Sequence, residues 1–219
     1  MEPPEAGFDT NRCYNLGMKI RDVYERFGIP ENLQEHMLRV TKIAMMIANG
    51  WRGDGLDKEI IVRAGLVHDL ANIVRFKLDE GSDLKVRQKE TIERYGDNDH
   101  AATEKMLREL GMDEALIEIV QGKSFGNAIE IGKGDNWPLK ILFYSDMRVV
   151  PSGVVDLETR LTDIVTRLDK YRNHPKREQL LESAREVGKQ IQGRTSIRLE
   201  DITDRVVSED LKVLLETEV

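Results

Sequence analysis

The segment from about 57 to 76 constrains the fold more than any other. Ile60, Ile61, Val62, Leu66, Val67, Leu70, Ile73 and Val74 put apolar side chains around most of a helix circumference. A helix without a polar face is stable only when neighbours cover it on every side, so this segment is read as a central buried helix. The rest of the chain supplies the covering shell. Apolar residues recur with helical period nearly everywhere, and no alternating strand pattern flanked by hairpin turns stands out. The period predicts helices over about 11–27, 31–49, 57–76, 84–95, 99–110, 113–121, 138–149, 156–172, 176–192 and 201–217. Gly28-Ile29-Pro30, Gly50 to Gly55, Gly96, Gly111 and Pro151-Ser152-Gly153 punctuate them.

The expected fold class is therefore all-α, with 1–219 forming a single unit. A chain of 219 residues is long enough to bury a substantial core. After Pro151 the texture shifts to charged amphipathic helices, which marks 151–219 as a C-terminal helical extension on a core at 30–150. In that extension Leu157, Leu161, Ile164, Leu168 and Tyr171 form a stripe too short for sustained heptads, so it is expected to pack on the core.

Composition excludes several function classes. No run reaches the roughly 18–20 apolar residues of a membrane span, and the N-terminus lacks the basic and apolar regions of a signal peptide. The single Cys13 forms no internal disulfide. A cytoplasmic protein is expected. The net charge of −7 argues against broad nucleic-acid binding, although a local basic cluster can still hold a small anion.

Three polar interruptions of apolar patterns bear on function. His68-Asp69 sits in GLVHDLANIV (65–74), His36 interrupts the stripe of Leu33, Met37, Val40, Ala44 and Ile47, and Asp146 interrupts that of Leu139, Leu142, Phe143 and Val150. Polar groups in such places need partners, because an unpaired neutral one costs on the order of 2–7 kcal/mol. A metal ion would serve all of them. Taken singly, His36 reads rather as a satisfied core histidine, and Asp146 can be half of a buried ion pair with Arg148 or Arg160.

At these residues, in the order His36, His68-Asp69, Asp146, the chain resembles the HD-domain metal-dependent phosphohydrolases. The resemblance spans about 30–170 and continues through HAATEKMLRELG (100–111) and VVDLETRLTDIVTRLDKY (154–171). It implies an HD-type helical bundle in which His36, His68, Asp69 and Asp146 hold one divalent ion. Two imidazoles and two carboxylates accept Mn, Fe, Co, Ni, Zn or Mg. It also implies that Asp69 doubles as the catalytic proton acceptor. His100 would border the pocket, as a second-metal ligand or a donor to substrate phosphate; without the family it reads as a helix-start histidine. Two-metal members carry a further histidine where this chain reads IVQGKSFGN (119–127), which favours one metal. Family members often place Lys shortly after His-Asp; here Asn72 stands there, a substrate-binding candidate that could orient water or phosphate without supplying a charge, and Arg75, Lys77 or Lys123 are candidate replacements for that charge or simply surface charges. GKS at 122–124 is not a phosphate-binding P-loop, since the required glycine position holds Ile117.

The expected partner is a small phosphorylated substrate, a nucleotide or similar metabolite, hydrolysed at a phosphate ester. The alternatives are a cyclic or dinucleotide phosphodiesterase, a non-catalytic metal- or nucleotide-binding module, and a structural helical domain with internal ion pairs. Oligomeric state is not legible.

Overall fold

The helix pair that organises the molecule is α2 (Glu31–Asn49) with α3 (Lys58–Val67), which pack on each other more extensively than any other two elements described. Gly65 makes that approach possible. A β-carbon there would lie 2.7 Å from Thr41 Oγ1 and 3.1 Å from Thr41 Cα, so any larger residue would push the two helices apart. The structure, a computed structural model, describes residues 17–219. Cys13, the first residues of the helix expected over 11–27 and the N-terminal stretch read for a signal peptide lie outside the described residues.

The other elements form the shell that the apolar α3 requires. They are α1 (Ile20–Arg26), α4 (Asp83–Tyr95), α5 (Asp99–Glu109), α6 (Glu114–Gly122), α7 (Ala128–Lys133), α8 (Trp137–Asp146), α9 (Leu157–Arg167), α10 (Asp169–Arg172), α11 (Arg177–Arg194) and α12 (Asp204–Ser208). Helices α2, α6 and α8 surround α3, whose Ile61, Leu66 and Val67 are completely buried. The fold is all-α as the periodicity implied. Side-chain N-caps start many of its helices: Asp57 accepts from Ile60 N, Asn98 from Ala101 N, Asp113 from Leu116 N, Asn136 from Leu139 N and Asp156 from Thr159 N. Each bond satisfies one of the orphan N–H groups of a first turn.

Several boundaries differ from the expectation. The helix read over 57–76 stops at Val67 and continues through a turn into a 3-10 helix at Asn72–Arg75. Two of its last carbonyls are taken by side chains: the His68 ring bonds Gly65 O at 2.7 Å and Tyr24 Oη donates to Leu66 O at 2.7 Å. The 3-10 turn is then held by one buried side chain, Gln88, whose Nε2 donates to the carbonyls of Ile73, Val74 and Phe76. No glycine or proline marks the break, so the apolar pattern runs across it unchanged.

The segment read as a helix over 138–149 ends at Asp146, and Val149–Val150 pairs antiparallel with Gly153–Val154 across the Pro151-Ser152 turn. Gly153 sits at φ +132°, a conformation open to glycine. The stretch 156–172 breaks at Leu168, 201–217 breaks near Asp210, and the short α7 lay outside the predicted set. The apolar stripe of α9 and α10 packs on the core as expected, with Leu161, Ile164 and Tyr171 buried. Further along, α11 lies against α7 and α8, and the segment Leu211–Glu216 returns to α1 and α2.

Candidate metal centre

Three elements deliver the site. Helix α2 carries His36 in its second turn, the α3 C-terminus carries His68-Asp69, and the last residue of α8 is Asp146. At the end of α3 His68 and Asp69 both reach the same space, each with an atom against His36 Nε2.

The donor atoms converge. His36 Nε2 lies 3.2 Å from Asp146 Oδ1, 3.3 Å from His68 Nε2 and 3.6 Å from Asp69 Oδ2. His68 Nε2 lies 3.8 Å from Asp146 Oδ1 and 3.9 Å from Asp69 Oδ2. Donors about 2.1 Å from a common ion stand about 3.0–3.4 Å apart, given the about 2.0–2.2 Å bonds that N and O ligands make to a zinc-sized ion. The observed separations are close to that, and His36, His68 and Asp69 form a group spaced to hold a metal.

The tautomer agrees. Nδ1 of His68 faces Gly65 O, an acceptor, so Nδ1 carries the proton and Nε2 presents its lone pair to the cluster. Burial holds the His68 ring neutral, lowering its pKa to about 4 despite the opposing pull of Asp69. A ring already neutral and already aimed need not release a proton to ligate. Two imidazole Nε2 atoms and two carboxylate oxygens facing one another make a donor set that fits a divalent ion.

A lysine shares this space. Lys123 is 7 % exposed, and its Nζ donates to Asp69 Oδ1 at 2.8 Å and stands 3.5 Å from Asp146 Oδ2. Burial alone would raise both carboxyls, but the Lys123 ammonium, aided by the two histidines, holds Asp69 and Asp146 well below the usual carboxylate range. Burial alone would likewise lower Lys123, and the two carboxylates raise it above its ordinary value. The cation beside Asp146 is thus neither Arg148 nor Arg160. Arg148 instead bonds the carbonyls of Val155, Leu199 and Ile202, tying the C-terminal segment to α8. Arg160 pairs with Asp163 at 2.7 Å.

Of the remaining sequence candidates Asn72, Arg75 and His100 line one cavity of about 330 Å³ over this cluster. Asn72 lines it and donates to Asp69 Oδ2 at 3.0 Å. Arg75 lines it from the exposed side, bonded to Asp99 at 3.0 Å. His100 lines it at the start of α5, where Gln121 Nε2 donates to its carbonyl. Lys77 is exposed and does not line it. His174, read from the sequence as exposed in a polar turn, is half-buried in the turn before α11 and accepts from Lys176 N. Sequence reasoning missed that Arg160, Arg167 and Lys170 also line the cavity. Arg160 and Arg167 reach it from α9 and Lys170 from α10, beyond the turn at Leu168.

No curated protein and no solved structure matches the chain. The family model described as the HD domain matches residues 33–182. That match contains all four donor residues and α9, and the chain belongs to the HD domain family, the superfamily of metal-dependent phosphohydrolases.

Proposed function

We propose that this chain hydrolyses a phosphate ester of a nucleotide or similar small phosphorylated metabolite. The observation that carries the proposal is the convergence of His36, His68, Asp69 and Asp146 in a cavity where, among the described residues, Lys and Arg outnumber acids five to three. In this reading the four residues hold one divalent ion. Such an ion lowers the pKa of water and stabilises charge developing on a phosphoryl oxygen.

The protein's own groups do the rest. Gly65 O fixes the His68 ring, and Asn72 with Lys123 fixes the Asp69 carboxylate. Asp69 accepts a proton from the attacking water, and His100, Arg75 and Lys123 bind the phosphate. The same two hydrogen bonds that orient Asp69 also favour its ionised form, which makes it a weaker base. That observation favours a second reading, a metal- or nucleotide-binding module without turnover.

One experiment separates the two. Protein loaded in turn with Mn, Fe, Co, Ni, Zn and Mg is assayed for phosphate release from monoesters, and for product formation from cyclic and dinucleotide diesters. Metal-dependent release supports hydrolysis, and the ester class cleaved distinguishes a phosphatase from a diesterase. Nucleotide binding without product under every metal supports the binding module.

A further inference from the structure

Away from the donor cluster the cavity runs beneath α9 and α10, and its chemistry changes. In the cluster two aspartates face Lys123, and at the near rim Asp99 faces Arg75. The far end holds Arg160, Arg167 and Lys170, and among the described residues no acidic one lines it. This local excess of positive charge occurs in a chain of net charge −7.

Arg160 is the informative member. Its side chain is 12 % exposed, and Nη1 is bonded to Asp163 Oδ2. Its Nε is buried with no hydrogen-bond partner among the described residues. Asp163 is also shared with Arg167, whose Nε lies 3.1 Å from Oδ1 and whose Nη2 lies 3.2 Å from Oδ2. One carboxylate thus serves two guanidiniums. A buried guanidinium N–H left unbonded costs free energy, and an anion reaching the Arg160 guanidinium from the cavity would give it a partner beyond the one carboxylate it shares with Arg167. Guanidinium groups suit a phosphate because their planar fork matches its oxygens. The wall at this end is also apolar, with Ile164, Leu168, Phe125 and Tyr171, and the last two rings meet edge to face at 4.9 Å.

We infer that α9 and α10 build a second anion subsite on Arg160, with Arg167 and Lys170 at its rim, so that the substrate is a small bisphosphorylated metabolite. One phosphate is cleaved over the donor cluster and the other is held at Arg160. This rests on the hydrolytic reading above. A cavity of about 330 Å³ lies at the small end of the roughly 300–1,000 Å³ of ligand pockets, which suits one compact metabolite better than a dinucleotide.

The test has a kinetic arm and a binding arm. In the first, metal-loaded protein is assayed with adenosine 5′-monophosphate against adenosine 3′,5′-bisphosphate, fructose 6-phosphate against fructose 1,6-bisphosphate, and glycerol phosphate against 3-phosphoglycerate. At least one bisphosphate should exceed its monophosphate about tenfold or more in kcat/KM, and Arg160→Gln should reduce that ratio toward one, mainly through KM. In the second, inorganic phosphate is titrated calorimetrically into chelated protein. Binding should weaken about tenfold in Arg160→Gln and survive His36→Ala. The exposed pair Arg167→Gln, Lys170→Gln should weaken phosphate binding in the same direction, which keeps the test informative if Arg160→Gln does not fold.

Ester cleavage without preference for a second phosphate, with phosphate binding unaltered in the variants, overturns the subsite and leaves the hydrolytic reading standing. Phosphate binding lost in Arg160→Gln, in a protein that cleaves no ester, upholds the anion subsite and overturns hydrolysis, and with it the bisphosphate substrate. Preference for 3-phosphoglycerate over every bisphosphate overturns the phosphate assignment.

Discussion

Replacing Lys123 by Met tests the electrostatic account of the centre most directly. Methionine keeps an unbranched side chain of similar length and removes only the charge and its hydrogen bonds. In the protein without metal, the Lys123 ammonium lies between Asp69, at 2.8 Å, and Asp146, at 3.5 Å, and all three side chains are mostly buried. Breaking a buried ion pair by removing one partner costs about 3–5 kcal/mol, because a charge is left without compensation. Partial solvent contact at Asp69 and Asp146, 17 % and 12 %, places the expectation at the lower end, about 3 kcal/mol. For a chain of this size that is a fall in Tm of roughly 6–12 °C in chelated protein.

Metal should then restore much of the loss. A divalent ion at 100 times its Kd contributes about 2.7 kcal/mol, and in the variant no ammonium opposes it. The Tm gain on adding metal should therefore be larger in Lys123→Met than in wild type. Calorimetric melts of both proteins, chelated and metal-loaded, give the four numbers required. Equal melting of the two chelated proteins, or equal metal gains in both, would refute the claim that Lys123 neutralises the two aspartates.

Three further outcomes follow from the same geometry. The buried His68 ring titrates at about 4, against about 6.5 for an exposed histidine. Between those values the unfolded chain binds a proton that the folded chain refuses, so stability rises with pH across this window and falls on acidification by about 1.4 kcal/mol per unit, roughly 3 kcal/mol in all. Denaturation of chelated protein from pH 7 to 4 measures it, and His68→Gln should flatten the slope. His36→Ala and Asp146→Ala should each bind divalent metal at least tenfold more weakly in equilibrium dialysis; unchanged stoichiometry and affinity in both would place the ion elsewhere. Asp69→Asn, compared at saturating metal, should lower turnover at least ~10²-fold if its carboxylate takes the proton, whereas a change of a few-fold would make it an ion ligand only.

The fold class was legible because every element that buries a face repeats it with the helical period. Capped starts were legible too, since Asp57, Asn98, Asp113, Asn136 and Asp156 are the residue types that bond first-turn N–H groups. The end of α3 was not, because it is decided by Tyr24 and Gln88, which lie 42 residues before and 12 to 15 residues after the carbonyls they bond. Within the site, His36, His68, Asp69 and Asp146 stood out as polar breaks in apolar patterns. Lys123 did not. It follows a helix end in a polar stretch, where a lysine is ordinarily solvated, and its burial arises from how α6 approaches α3 and α8. Arg160, one of two partners open to Asp146 if that residue were half of an ion pair, bonds Asp163 on its own helix instead and lines the cavity from α9.

The glycine at the crossing of α2 and α3 ties two properties that are usually separable. Gly65 lets Thr41 come close enough to exclude a methyl group, and its carbonyl orients the His68 ring. Because His36 is borne on α2 and His68 on the end of α3, the separation of their nitrogens is set by how deeply the two helices nest. Interior packing therefore acts as the caliper of the coordination sphere. A sequence change that relaxes the nesting alters the size of ion the centre accepts while leaving each ligand in place, and a tightly bound ion of the wrong radius would strain the core before it strained the ligands.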